Sequence, residues 1–345
     1  MIKLKPSVQK LQAYYVNDLP YKVKLDANEG NNYLLEDKLI FDDFKPNFYP
    51  DSDSKILREK MSIYYGCKAE NILVGNGSSE LINMVINAYC EKNDKVMSFV
   101  PSFSMYQTYC DLCGADYVGI KAEYDFTQNI DKLINTANKI KPKIVILCNP
   151  NNPTGYVTPK KEIVKLLNNV KNSIIILDEA YADFSEITVI DLIKKYENLI
   201  VMRTLSKAFG LAGLRVGAMI ANENLVEYIW KVKIPYNINV LSQYAANKAL
   251  DNIDKVNEHI QEVKKLRYEL CNNLKKLGFT IFPTGSNFIF IEQTVDNLYE
   301  KLVDCGVLIR KFVFNEKVFY RITVGTKEEN EILLKEIYKI MQETN

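Results

Sequence analysis

Three consecutive stretches decide the fold: IVILCNPNNPTG at 144–155, SIIILDEAYADF at 173–184 and LIVMRTLSKAFGLAGLRVG at 199–217. Each begins as a short continuous apolar run and breaks into a polar loop punctuated by Gly, Pro or Asn. Continuous rather than alternating apolar runs mark strands covered on both faces. Such runs separated by helical patterns predict an α/β domain with a mainly parallel sheet. Two more runs upstream fit the scheme. Ile72 to Val74 leads into GNGSS, after which Leu81, Ile82, Val85, Ile86 and Tyr89 recur at helical spacing. Val96 to Val100 leads into PSFSMY. Ligands of open α/β sheets bind outside the carboxyl ends of the strands, so the five loops predict one site. Loops are polar in any protein; that explains their composition but not the particular residues they carry.

From about residue 240 the pattern changes. A long helical stretch, Ser242 to Leu277, precedes FTIFPTGSNFIFIE at 279–292, a helix near Val295 to Cys305, GVLIRKF at 306–312 and FYRITVG at 319–325. Mixed strands and helices predict a smaller α+β domain. The expected division is an N-terminal segment, 1–27, packing with the small domain, a large domain at 28–238, and the small domain at 239–345.

Composition narrows the function. The chain has 345 residues, 47% hydrophobic and 25% charged, the balance of a globular protein with a large core. Lys and Arg number 44 against 43 Asp and Glu, so bulk charge points to no nucleic-acid or membrane partner. No apolar run approaches a membrane span, and the N-terminus lacks a secretory apolar region. A cytoplasmic protein is expected. The single histidine, His259, rules out zinc sites with two histidines, and it reads as a solvated or half-buried helix residue. Seven scattered cysteines suit free thiols in a reducing compartment. Cys110 and Cys113 read as two thiols on a helix, and no metal site is expected.

The loops carry the chemistry. Lys207, directly after a buried strand and near cations, is placed to have a lowered pKa and to act as a Schiff-base nucleophile. Arg215 suits a bound phosphate. Asp178, at the end of SIIIL, is either a turn residue or the carboxylate that holds a pyridine nitrogen protonated. Tyr181 lies within reach of a phenolic oxygen. GNGSSE at 75–80 opens a helix whose free N–H groups form a phosphate cradle. It lacks the GxGxxG spacing of dinucleotide sites.

GNGSSE, CNPNNPTG, DEAYADF and TLSKAFGLAGLRVG, in this order, resemble the fold-type I aminotransferases that use pyridoxal 5'-phosphate. LDANEG at 25–30, FYPD at 48–51, KIPYNINVLSQ at 233–243, GSNFIF at 285–290 and YRITVGTKEEN at 320–330 resemble the histidinol-phosphate aminotransferase subgroup. The resemblance implies that Lys207 holds the cofactor covalently, that Asp178 pairs with its ring nitrogen, and that Asn152 and Tyr181 contact its ring oxygen. It implies phosphate binding by the backbone of Ser78 and Ser79 with Thr204 or Ser206 and Arg215, and ring stacking by Phe103. Tyr49 would reach the neighbouring subunit's cofactor in a homodimer. Arg321 would bind the anionic end of the substrate, with Arg310 as a second cation and Asn28 as a further contact.

The implied reaction moves an amino group from histidinol phosphate to 2-oxoglutarate. An aromatic aminotransferase and a threonine-phosphate decarboxylase share much of the pattern. Aromatic residues near Tyr14, Tyr15, Tyr21 and Phe103 suit an imidazole or a phenyl side chain equally. Three departures stand out. Phe103 stands where the subgroup usually has tyrosine or another aromatic, Ser79 where it often has aspartate, and NEGNNY at 28–33 replaces NENPxG.

Overall fold

The computed structural model describes residues 19–31, 33 and 47–344; Tyr14 and Tyr15 lie outside them. Thirteen strands are present among these residues. The first eight are β1 (Val23–Lys24), β2 (Ile72–Asn76), β3 (Lys95–Val100), β4 (Asp116–Lys121), β5 (Ile144–Cys148), β6 (Ile174–Asp178), β7 (Leu199–Thr204) and β8 (Val216–Ala221). The remainder are β9 (Ile281–Phe282), β10 (Phe288–Glu292), β11 (Val307–Leu308), β12 (Arg310–Phe314) and β13 (Lys317–Thr323).

Seven strands form the central sheet in the order β2-β8-β7-β6-β5-β3-β4. Its core is parallel, β7 to β6 to β5 to β3 to β4. Strand β8 runs antiparallel to both β7 and β2, so β2 points the same way as the parallel five. The loops after β2, β3, β5, β6 and β7 therefore open on one edge. Period-two geometry explains the uninterrupted apolar runs. In β5, Val145 and Leu147 enter the core on one face, while Ile144, Ile146 and Cys148 enter the core on the other. Each fully buried aliphatic side chain contributes about 1.5–3 kcal/mol, so neither face tolerates a polar residue. The edge strand β4, DYVGIK, buries only Ile120, which is why its sequence carries little strand signal.

The expected helix from Ser242 to Leu277 is two helices, Val240–Leu250 and Ile253–Lys276. The chain breaks at Asp251 and Asn252, where the Asn252 side chain donates to the Lys248 carbonyl at 2.8 Å and competes with the backbone ladder. His259 on the second helix is not solvated or half-buried. It is 5% exposed, stacked on Tyr33 with ring centroids 4.1 Å apart. Burial lowers its pKa to about 4. It falls in line with the buried stripe Val256, Ile260, Val263, Leu266, Leu270 and Leu274, so helical spacing overrides its polarity. Cys110 and Cys113 lie on the helix Met105–Cys113, and all seven cysteines are free thiols.

The C-terminal part holds an antiparallel sheet, β12-β13-β10-β9. Strand β1 pairs in parallel with β11, and Val23 and Leu25 share a core with Leu270, Ile289, Ile291 and Tyr320. Among the described residues no helix is long and apolar enough to cross a membrane, and no cluster of side chains is arranged to hold a metal ion.

Candidate active site

A cavity of about 460 Å³ opens at the carboxyl edge of the sheet, where the loops after β2, β3, β5, β6 and β7 converge. At its floor lies Asp178, the last residue of β6, 4% exposed. The Tyr106 hydroxyl donates to its Oδ2 at 2.6 Å, and the Ala180 N–H donates to Oδ1 at 3.2 Å. Burial raises the Asp178 pKa, and these two hydrogen bonds oppose the rise.

Lys207 lines the cavity from the loop after β7 and donates through Nζ to the Ala27 carbonyl at 3.2 Å. Burial, then the positive charges of Arg321 and Arg215, lower its pKa to about 7, against the opposing charge of Glu29. Two glycines permit the close crossing of chain segments here. A Cβ at Gly30 would strike the Lys207 carbonyl, and one at Gly210, whose φ is +64°, would strike the Asn31 carbonyl.

The phosphate-sized end is built on the helix Gly77–Tyr89. Its first-turn N–H groups, the positive end of the helix dipole, include those of Ser78 and Ser79 on the cavity wall. Gly77 has φ +80°, and a Cβ there would collide with the Arg215 guanidinium. A Cβ at Gly217 would land on the Ser78 nitrogen. Both glycines thus let the cationic turn sit against the helix start. Thr204 donates to the Ser206 hydroxyl at 2.9 Å, and both line the same end.

At the opposite end stand Asn152 and Tyr181. The Asn28 amide donates to the Tyr181 hydroxyl at 3.2 Å. Asn28 is buried and fixed by its own N–H to Thr323 Oγ1 at 2.9 Å. Arg321 donates to Asn152 Oδ1 and to the Asp26 carbonyl, both at 2.6 Å. Its guanidinium lies between Phe288 and Phe312, 5.6 and 5.7 Å from their ring centres, held by cation–π attraction. Phe103 forms part of the wall and meets Tyr106 edge-on.

The structure thus brings Ser78, Ser79, Phe103, Asn152, Asp178, Tyr181, Thr204, Ser206, Lys207 and Arg215 onto one cavity, with Asn28 and Arg321 bonded to its lining. Two predicted residues stand apart in this single chain. Tyr49 is 81% exposed and stacks on Tyr236 at 4.6 Å. Arg310 is exposed, directly across the β12–β13 ladder from Arg321. Sequence reasoning did not find Tyr106, Tyr109, Met105, Cys148 or Ala212, of which all but Tyr106 line the cavity. Tyr106 stands in PSFSMY, in the first turn of the helix Met105–Cys113 and three residues after Phe103, whose ring it meets.

Residues 17–337 match the family model described as aminotransferase class I and II. A histidinol-phosphate aminotransferase of Ruminiclostridium cellulolyticum is 40% identical over 350 residues, covering 98% of each chain. The solved histidinol-phosphate aminotransferase of Sinorhizobium meliloti, in complex with pyridoxal 5'-phosphate, superposes with a TM-score of 0.89 at 20% identity, over 100% of this chain and 99% of that one. The L-threonine-O-3-phosphate decarboxylase of Porphyromonas gingivalis superposes with a TM-score of 0.75 at 24% identity, over 86% and 91%. At these identities the two structures speak for the fold alone.

Proposed function

This chain belongs to the class I and II aminotransferases, and from that premise we propose that it transfers the amino group of histidinol phosphate to 2-oxoglutarate, with pyridoxal 5'-phosphate as cofactor. The cavity's residues fit that cofactor: a buried carboxylate, a lysine of lowered pKa, and a cradle of N–H groups that Gly77 and Gly217 keep open beside Arg215. Bound there, the cofactor supplies an aldehyde for Lys207 and an electron sink for the substrate carbon that loses its proton.

The protein's own residues do the rest. Lys207 is half neutral near pH 7, so its Nζ serves as nucleophile and then carries the proton from the substrate carbon. Asp178 would hold the ring nitrogen protonated. Asn152 and Tyr181 hold the ring oxygen, and Asn28 and Arg321 fix those two side chains in turn. Ser78, Ser79, Thr204, Ser206 and Arg215 bind the phosphate. Phe103, on the cavity wall, would stack on the ring without a hydroxyl contact.

One observation carries the choice of substrate: Arg310 and Arg321 are directly paired neighbours on β12 and β13. Two guanidinium groups on adjacent strands suit a doubly charged phosphate, which Arg binds by its fork geometry. The histidinol-phosphate aminotransferase that is 40% identical over 98% of this chain supports this reading. The working unit is a homodimer in which the exposed Tyr49 reaches the partner's cofactor, in the cytoplasm, where seven free thiols persist. The cofactor domain is read as 28–238 and the smaller domain as 239–345, onto which Val23 and Leu25 pack.

The test is a panel of donors with 2-oxoglutarate: histidinol phosphate, histidinol, phenylalanine and threonine phosphate. Histidinol phosphate is expected to react best. Equal or faster turnover of phenylalanine would replace this reading with an aromatic aminotransferase, and carbon dioxide released from threonine phosphate with a decarboxylase.

A further inference from the structure

Tyr106 is fully buried and does not line the cavity, yet its hydroxyl makes the shortest hydrogen bond to Asp178, 2.6 Å to Oδ2. Its helix, Met105–Cys113, lies against the sheet, and the ring meets Phe103 edge-on with centroids 5.5 Å apart. The contact therefore links the stacking wall to the floor.

We propose that Tyr106 is the positioning residue that makes Asp178 work as an ionised acceptor: by holding Oδ2 it fixes the carboxylate plane and leaves the proton shared with a bound pyridine ring on the ring nitrogen rather than on the carboxylate. The inference rests on the cavity being the pyridoxal 5'-phosphate site. The physics follows from burial. A carboxylate out of water gains proton affinity, and a hydrogen bond to its charged form takes some of that gain away. Charge-assisted O–H···O bonds of this length are the stronger kind.

The groups facing Asp178 show why no other residue replaces Tyr106. Tyr109 from the same helix, Cys148 from β5 and Tyr181 from the loop after β6 all feel the Asp178 charge. None of their side chains appears among the bonds that oppose its protonation, which come from Tyr106 and the Ala180 N–H. Desolvation and the neighbouring Asp178 charge also hold the Tyr106 proton on its own oxygen, its pKa being well above the ordinary value. Tyr106 is thus a permanent donor. A chain lacking that hydroxyl has the same ring packing but an Asp178 carboxylate with one backbone donor left.

Two measurements on the full-length protein test this. The first reads the nitrogen-15 shift of ring-labelled pyridoxal 5'-phosphate in the loaded wild type and in Tyr106→Phe. The wild type is expected to show a protonated ring nitrogen and Tyr106→Phe a shift toward the unprotonated position. Identical shifts overturn the proposal; a wild type that binds no pyridoxal 5'-phosphate overturns the reading it rests on.

The second follows thermal midpoints against pH for the cofactor-free wild type, Tyr106→Phe, Asp178→Asn and the double variant. A raised carboxylate pKa lowers stability increasingly as pH rises through it. The deficit of Tyr106→Phe should therefore grow from acid to neutral pH, by about 2–4 °C, and lose that pH dependence in the Asp178→Asn background. A deficit independent of pH, or one whose pH dependence persists in the Asp178→Asn background, means that Tyr106 does not act through the Asp178 charge and overturns the proposal. Should Tyr106→Phe not fold, Asp178→Asn must restore folding; failure to do so has the same meaning.

Discussion

Lys207→Met in the cofactor-free protein tests the electrostatics of the site directly. Lys207 drops from its ordinary 10.5 to about 7. At about 1.36 kcal/mol per pH unit, the full drop corresponds to ~5 kcal/mol held against the folded state. Lys207 is only half-buried, and solvent screening reduces this to about 2–3 kcal/mol. The sign follows from proton counting. Between about pH 7 and 10.5 the unfolded lysine keeps its proton while folded Lys207 has lost it. The unfolded state binds more protons, so wild-type stability rises with pH across that window. Below about pH 7 the full penalty stands. Methionine fills similar space without the charge, so Lys207→Met should be the more stable chain at about pH 7, and the gap should close toward about pH 10. Urea unfolding at half-unit pH steps measures it, and taking the difference between the two chains removes every other titrating group. A wild-type-minus-variant difference that stays flat from about pH 7 to 10 would refute the lowered pKa and the desolvation argument behind it.

Three further outcomes are expected. Borohydride reduction of the cofactor-loaded protein should fix the label on the peptide holding Lys207; label on another lysine contradicts the site. Mixing inactive Tyr49→Ala and Lys207→Ala chains should restore activity, because each hybrid dimer keeps one intact site if Tyr49 acts across the interface; no recovery despite subunit exchange removes that role. Arg321→Gln should cut kcat/KM by about ten- to a hundred-fold, the worth of one charge-assisted hydrogen bond; a change under about two-fold would mean that Arg321 only braces Asn152.

Much of the cavity was legible because strands covered on both faces leave no polar residue without a reason. The runs at 144–148 and 199–202 could hardly be anything else, and the residues just beyond them face the cavity. What was not legible depends on partners distant in sequence. Strand β4 is an edge strand whose neighbour supplies its order. Asp251 and Asn252 interrupt a helical pattern with no glycine or proline to announce it. The polarity of His259 misleads, although its spacing within the stripe from Val256 to Leu274 carries the correct answer. Tyr106 escapes a reading of the sequence because its importance lies in a bond to a residue 72 positions away. Tyr49 and Arg310 illustrate the opposite case: motifs name them, while a single chain leaves both on its surface.

The backbone crossing at Gly30 and Gly210 bears on how the protein is made. Ala27 receives the Lys207 ammonium from 180 positions further along the chain, and Asn28 is fixed by Thr323 from 295 positions away. During synthesis, residues 26–31 emerge almost 300 residues before strand β13 and wait for it. Closing such long loops is slow and entropically costly before the rewarding contacts form. The parallel sheet can assemble earlier, but the surroundings of Lys207 cannot be completed before β13 has emerged. A ribosome stalled with residues beyond 318 still in its exit tunnel would carry a largely paired central sheet with an unfinished reactive lysine.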